Sequence, residues 1–173
     1  MLHKELRKQR ENNLAVLFKW FDSATVKFGN ASYQSTTTLG SASISIASQP
    51  MKVALLSSSY TFSSSHTVYA DLTNEIANGQ GYTTGGVALG TVAWTQSSTV
   101  TNFTAANASW TASGTGIPAW RYAVCYCTAT LETIVKPLIF LLDNNGSDVA
   151  ATASGSNLVI TWNATGVFQL AHS

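Results

Sequence analysis

The sequence predicts an all-β protein: a β-sandwich, jelly-roll-like, preceded by an N-terminal α-helical arm. Three observations predict it. Only 10% of the residues are charged, against about 25% in ordinary globular domains. Much of the polar remainder is Ser, Thr and Asn, and a chain solvated by hydroxyls and amides suits a pleated surface better than the Lys- and Glu-rich exterior of helices. From residue 24 onward the apolar residues recur with period two, the repeat of a strand. Turn signals divide these runs at Gly29-Asn30, Asn78-Gly79, Asn144-Asn145-Gly146 and Ser154-Gly155. Many short strands so punctuated build a sandwich or barrel, not alternating βαβ units.

The elements follow in order. Residues 3–22, HKELRKQRENNLAVLFKWFD, read as a helix. Leu2, Leu6, Leu14, Leu17, Phe18 and Phe21 fall near helical spacing with charges between them, and Asn12-Asn13 interrupts the stripe. Residues 1–28 are assigned to this basic amphipathic arm, with six Lys and Arg against three acids; the rest of the chain has three against five. Residues 29–50 include the Ser/Thr-rich run QSTTTLGSASISIAS and form either a linker or an edge strand. Residues 51–173 form the body, with strands expected around Lys52–Leu55, Gly86–Leu89, Thr91–Trp94, Trp120–Cys127 and Leu158–Trp162. In the fourth of these, Trp120, Tyr122, Val124 and Tyr126 share one face, and Arg121, Ala123, Cys125 and Cys127 the other. The two cysteines are read as small buried apolar residues: adjacent on one strand face, they make a strained disulfide and an incomplete zinc set.

The stretch GQGYTTGG, Gly79 to Gly86, tests for phosphate chemistry. Gly81 to Gly86 has the Walker glycine spacing, but Val87 stands where Lys must be. Thr84 stands at the third glycine of a dinucleotide fingerprint, and the sequence after Gly86 is strand-like rather than helical. Gly79, Gly81, Gly85 and Gly86 are therefore assigned to turn geometry, through positive φ or close backbone approach. Other chemistry is no better marked. His66 and Asp71 lie near many serines, yet no Ser elbow of the G-x-S-x-G kind occurs. Asp71 and Glu75 suit turn capping. Asp143 and Asp148 flank a hairpin turn whose register does not match a Ca²⁺ loop. Arg121, among aromatics, is expected to pair with an acid across the sheet or stack on Trp120 or a neighbour, or, if exposed, to serve an interface. No catalytic, cofactor-binding or metal-ligating set is assigned, and no enzymatic activity is expected. A net charge of +1 offers no field for nucleic acid. No apolar run reaches the length of a membrane span, and the five-residue run Leu14–Phe18 is no secretory signal.

Taken in order, Lys52–Tyr60 (KVALLSSSY), Asn74-Glu75-Ile76, Gly79–Gly86, Trp110–Ser113, Arg121–Val124 (RYAV), Pro137-Leu138-Ile139, Ile160–Trp162 and Gly166–Phe168 resemble a family of small structural proteins from the virions of tailed bacteriophages. The likeness covers roughly residues 50–170; the order of the motifs is more specific than any one of them. It implies a virion component assembled in the host cytoplasm. The expected function is capsid decoration: a cement protein, as a homo-oligomer, binding other virion proteins, above all the major capsid protein. The arm would supply the contact through Leu14, Leu17, Phe18, Phe21 and Lys19. The alternative is a tail, head-fibre or baseplate module binding host glycans or other tail proteins, with a tryptophan as its stacking platform.

Overall fold

The computed structural model describes residues 16–24, 49–97, 100–131 and 133–171. Their strands are β1 (Leu17–Trp20), β2 (Met51–Leu56), β3 (Val87–Ala88), β4 (Ala93–Ser97), β5 (Val100–Thr104), β6 (Ala108–Thr111), β7 (Tyr122–Cys127), β8 (Thr130–Leu131), β9 (Ile134–Val135), β10 (Leu138–Asp143), β11 (Asn157–Ile160) and β12 (Phe168–Ala171). Every pairing between them is antiparallel. The all-β class is therefore what the sequence leads one to expect. A jelly roll sets two four-stranded sheets face to face; the described strands instead form sheets in the orders β1-β10-β7-β2-β3, β12-β5-β4, β11-β6 and β8-β9.

The five-stranded sheet is buried on both faces. All six side chains of β7 are buried, and five of the six in β2. Such strands read as continuous apolar runs instead of alternating ones, as in VALL, YAVCYC and LIFLL. One row across the sheet, Trp20, Phe140, Cys125 and Val53, packs into the larger core with Phe103, Trp110 and Leu158 from the smaller sheets. The next row, Leu141, Val124 and Ala54, belongs to a second core on the opposite face. That core is closed by Phe21 and by Tyr60, Phe62, Tyr69 and Leu72 from the connection between β2 and β3. At about 25 cal/mol per Å² of apolar surface, these two cores dominate the stability of the body.

The N-terminal reading needs correction. Leu17–Trp20, expected within a helix, is β1, which pairs with β10 from Leu17 opposite Asp143 to Trp20 opposite Phe140. The stretch Val16 to Phe21 satisfies both periods. Period two wins because it delivers Phe18 and Trp20 to one aromatic cluster: Phe18 stacks on Phe140 at 4.7 Å, and Trp20 meets Phe168 edge-on at 4.8 Å. Residues 22–24 form one helical turn. Residues 1–15 and 25–28 of the expected arm, Leu14 included, lie outside the described residues, as do 29–48 of the expected linker. Trp120 also departs from its expected face. The strand begins at Tyr122, so Trp120 packs in the larger core, opposite Tyr122, Val124 and Tyr126.

Candidate functional site

The glycine-rich stretch is a pair of turns locked to a carboxylate. Gly79 and Tyr82 exchange both backbone hydrogen bonds at 2.8 Å. Between them Gln80 and Gly81 have φ of 57° and 90°, the signs of a type I′ turn. Gly86 N–H then donates to Thr83 C=O, with Gly85 at φ 90°. A Cβ on Gly86 would stand 1.8 Å from the Val53 carbonyl oxygen, and one on Gly81 2.0 Å from that of Thr111. The glycines thus let the turns lie against β2 and β6. Glu75 holds them there. Its Oε1 accepts from the Tyr82 hydroxyl and from Gly85 N–H, each at 2.6 Å, and its Oε2 accepts from the Tyr69 hydroxyl. Tyr82 in turn accepts from Leu55 N–H at 3.0 Å, and Tyr126 donates to Gly85 C=O at 2.8 Å. Burial first, then the bond to Glu75, pushes the Tyr69 and Tyr82 hydroxyls above the ordinary tyrosine range; burial pushes Tyr126 up to about 12. These hydroxyls stay protonated as donors, and Glu75 is committed to them and to the turn.

A second carboxylate organises the edge of the large sheet. Asp143, at the end of β10, is 1% exposed. It meets Lys19 Nζ at 2.8 Å and Arg121 Nε at 3.0 Å, and accepts from Gly146 N–H at 3.2 Å. Lys19 is its diagonal neighbour on β1, within reach of a long side chain. Arg121, just before β7, also lies over the Tyr122 ring at 4.7 Å. Burial alone would raise the Asp143 carboxyl; the bonds from Arg121, Lys19 and Gly146 reverse this and hold it at about 2.

Beside this triad a cleft of ≈ 270 Å³ opens between the large sheet and β11. It is lined by Trp120, Ala123, Leu142 and Val149, by Val16, by Leu158 to Thr161, and by the polar Arg121 and Asn144. Two of its apolar lining residues, Val16 and Val159, are 54% and 45% exposed.

The residues singled out from the sequence divide accordingly. Phe21 is fully buried in the second core and Phe18 packs against the first. Lys19 and Arg121 are both paired with Asp143. Leu17 remains 42% exposed. The arm contact expected from Phe18, Phe21 and Lys19 is therefore replaced by internal packing. His66 bonds the Tyr60 hydroxyl through Nδ1 at 2.8 Å, and Asp71 accepts from Thr67 N–H and Val68 N–H, so no Ser-His-Asp relay is assembled there. Asp148 accepts from Ser58. Cys125 and Cys127 are buried free thiols. Among the described residues no three His, Cys, Asp or Glu side chains converge on a metal-sized site, and no helix is long and apolar enough to cross a membrane. The sequence reading missed the Glu75–tyrosine cluster and the cleft. The available signal for the first was three tyrosines, Tyr69, Tyr82 and Tyr126, each needing a partner for its hydroxyl once buried, together with Glu75 ahead of the glycine turn. No protein-family profile, curated protein or solved structure matches the chain.

Proposed function

We propose that this protein is a structural component of a tailed-bacteriophage virion, acting as a capsid decoration protein that binds the head through protein–protein contacts. The ordered motif set over residues 50–170 carries the reading. Its support from the fold is that the motifs coincide with framework. VALL lies in β2, YAV in β7 and LI in β10, while GQGYTTGG forms the turns fixed by Glu75. A sequence whose motifs are strands and turns describes a rigid body, and a rigid body serves by fitting against neighbours.

In this reading the apolar anchors are Val16, Leu17 and Val159, which are exposed, and not Phe21, which is buried, or Phe18, which packs against the core. Repetition of the chain as a homo-oligomer on a symmetric shell multiplies a modest contact into avidity. Quantitative mass spectrometry of gradient-purified virions tests the proposal. Copies on the order of hundreds per particle are expected of a shell-covering protein. A copy number fitting a single tail or fibre would replace decoration by the tail-module reading, and absence from the particle would overturn both.

A further inference from the structure

The chain holds two Asn-Gly pairs, Asn78-Gly79 and Asn145-Gly146. An asparagine followed by glycine can modify itself, because glycine has no side chain to keep its nitrogen away from the asparagine amide carbon. That nitrogen must first give up its proton to base. The main chain must then rotate until the nitrogen reaches Cγ. How readily a pair reacts is set by what holds the glycine nitrogen and the turn around it, and the two pairs differ in this.

Gly79 is held by main chain. Its N–H donates to Tyr82 C=O and Tyr82 N–H returns the bond, each at 2.8 Å. Glu75 fastens the same turn through Tyr82 and Gly85, and Asn78 Oδ1 accepts from Thr84 N–H at 3.4 Å. Freeing the Gly79 nitrogen breaks that paired bridge. Gly146 is held by less. Asn145 and Gly146, with φ of 46° and 84°, form the centre of a type I′ turn closed by Ser147 N–H to Asn144 C=O at 3.0 Å. Both residues are exposed, and the Asn145 side chain makes no hydrogen bond among the described residues. Gly146 N–H points at a side chain, Asp143 Oδ1, at 3.2 Å. That carboxylate is shared by Lys19 and Arg121. Two cations thus offset one anion, and the cluster does not oppose loss of the Gly146 proton.

We propose that Asn145 is a self-modifying site whose product loosens the Asp143 anchor. The Gly146 nitrogen bonds to Asn145 Cγ and the Cγ–Nδ2 bond breaks. Nδ2 leaves as ammonia, with a proton from solvent replacing the one that Gly146 gave up. Water then opens the cyclic imide. Attack at the main-chain carbonyl gives isoaspartate, with the chain now running through the side-chain carbons; attack at Cγ gives ordinary aspartate. Across both steps one water enters and one ammonia leaves. The imide has no N–H, so Asp143 loses that donor at once. Isoaspartate regains the N–H on a main chain lengthened by one carbon inside a tight turn, and adds a negative charge to a turn that lies against Arg121. The reaction needs only the chain and water, whatever its partners.

The test ages the full chain at mildly alkaline pH, native and in urea, and follows both asparagines by peptide mapping with mass spectrometry and isoaspartyl methyltransferase labelling. In the native chain Asn145 is expected to convert about tenfold or more faster than Asn78, because only Asn78 must give up a paired main-chain bridge to react. In urea both turns are gone and the two rates should converge. Asn145→Gln, which would need a larger ring, should keep its amide and leave Asn78 unaffected. Native Asn78 reacting as fast as Asn145, or an Asn145 that reacts in urea and not in the native chain, would overturn the site. The consequence is read against Asn145→Asp, which carries the new charge on an ordinary main chain. A fraction of the aged chain equal to its isoaspartyl share should unfold at lower urea than this variant; a single shared midpoint would overturn the link to Asp143.

Discussion

Replacing Asp143 by Asn removes one buried charge and leaves the shape of the site. The wild-type carboxyl ionises at about 2 in the folded chain and at 3.8 as an ordinary side chain. At about 1.4 kcal/mol per pH unit of displacement, that difference is worth about 2.4 kcal/mol. Lys19 and Arg121 keep 31% and 25% of their side chains exposed, so water recovers part of the lost interaction and about 2 kcal/mol is expected. In a chain of this size that lowers the melting temperature by about 4–8 °C. The sign fixes a pH signature. A carboxylate with a depressed folded value contributes stability above its unfolded value, and that contribution disappears as pH falls through the folded one. The gap between wild type and Asp143→Asn should therefore be complete near neutrality, shrink below about pH 4 and vanish near pH 2. Urea denaturation followed by tryptophan fluorescence across that range measures it. Other carboxylates titrate in both proteins, so the difference isolates Asp143. A gap that stays constant with pH, or one below about 0.5 kcal/mol at neutrality, would refute the assignment.

Three further outcomes follow from the same geometry. Gly86→Ala should cost about 3 kcal/mol or more, since the new methyl would meet the Val53 carbonyl at 1.8 Å; Gly79→Ala, with φ +121° but open space around it, should cost about 1–2 kcal/mol. Equal urea midpoints for the two would show that the close approach to β2 is not what the glycine serves. Glu75→Gln should lose about 1–3 kcal/mol and let Tyr69 and Tyr82 ionise at lower pH in an ultraviolet titration. Because their folded values are raised, the stability they give is whole below about pH 10 and is lost as pH rises further, so the variant should show a smaller alkaline loss than wild type. Burial pushes both thiols up, so Cys125 and Cys127 should ignore a thiol reagent at mildly alkaline pH until denaturant is added; rapid labelling of the native chain would contradict the buried strand face.

Residues 16–21 show why some of the fold was legible and some was not. A short apolar run such as VALL or YAVCYC, bounded by polar and turn-forming residues, fits a strand buried on both faces by its length and not by its period. Leu17 to Phe21 fits two periods. The choice falls to partners more than a hundred residues away, Phe140 and Phe168, which accept Phe18 and Trp20 only if β1 is extended. The same holds for Trp120, whose side is set by where β7 begins and not by parity. The candidate sites divide in the same way. Gly79, Gly81, Gly85 and Gly86 announce a turn because few other residues tolerate positive φ. Glu75 was legible as a carboxylate that caps this turn, and it does accept from Gly85 N–H; nothing adjacent in sequence announces that Tyr69 and Tyr82 hold it there.

What the amino-acid order determined alone was local: strand-forming runs, the turns between them, a nearly neutral and hydroxyl-rich surface, and glycines where the backbone must bend. The tertiary structure decided which carboxylates became anchors and which aromatics became core. Those outcomes depend on contacts between residues distant in the chain. Burial and pairing act through space, and a linear pattern carries no record of which distant groups will meet.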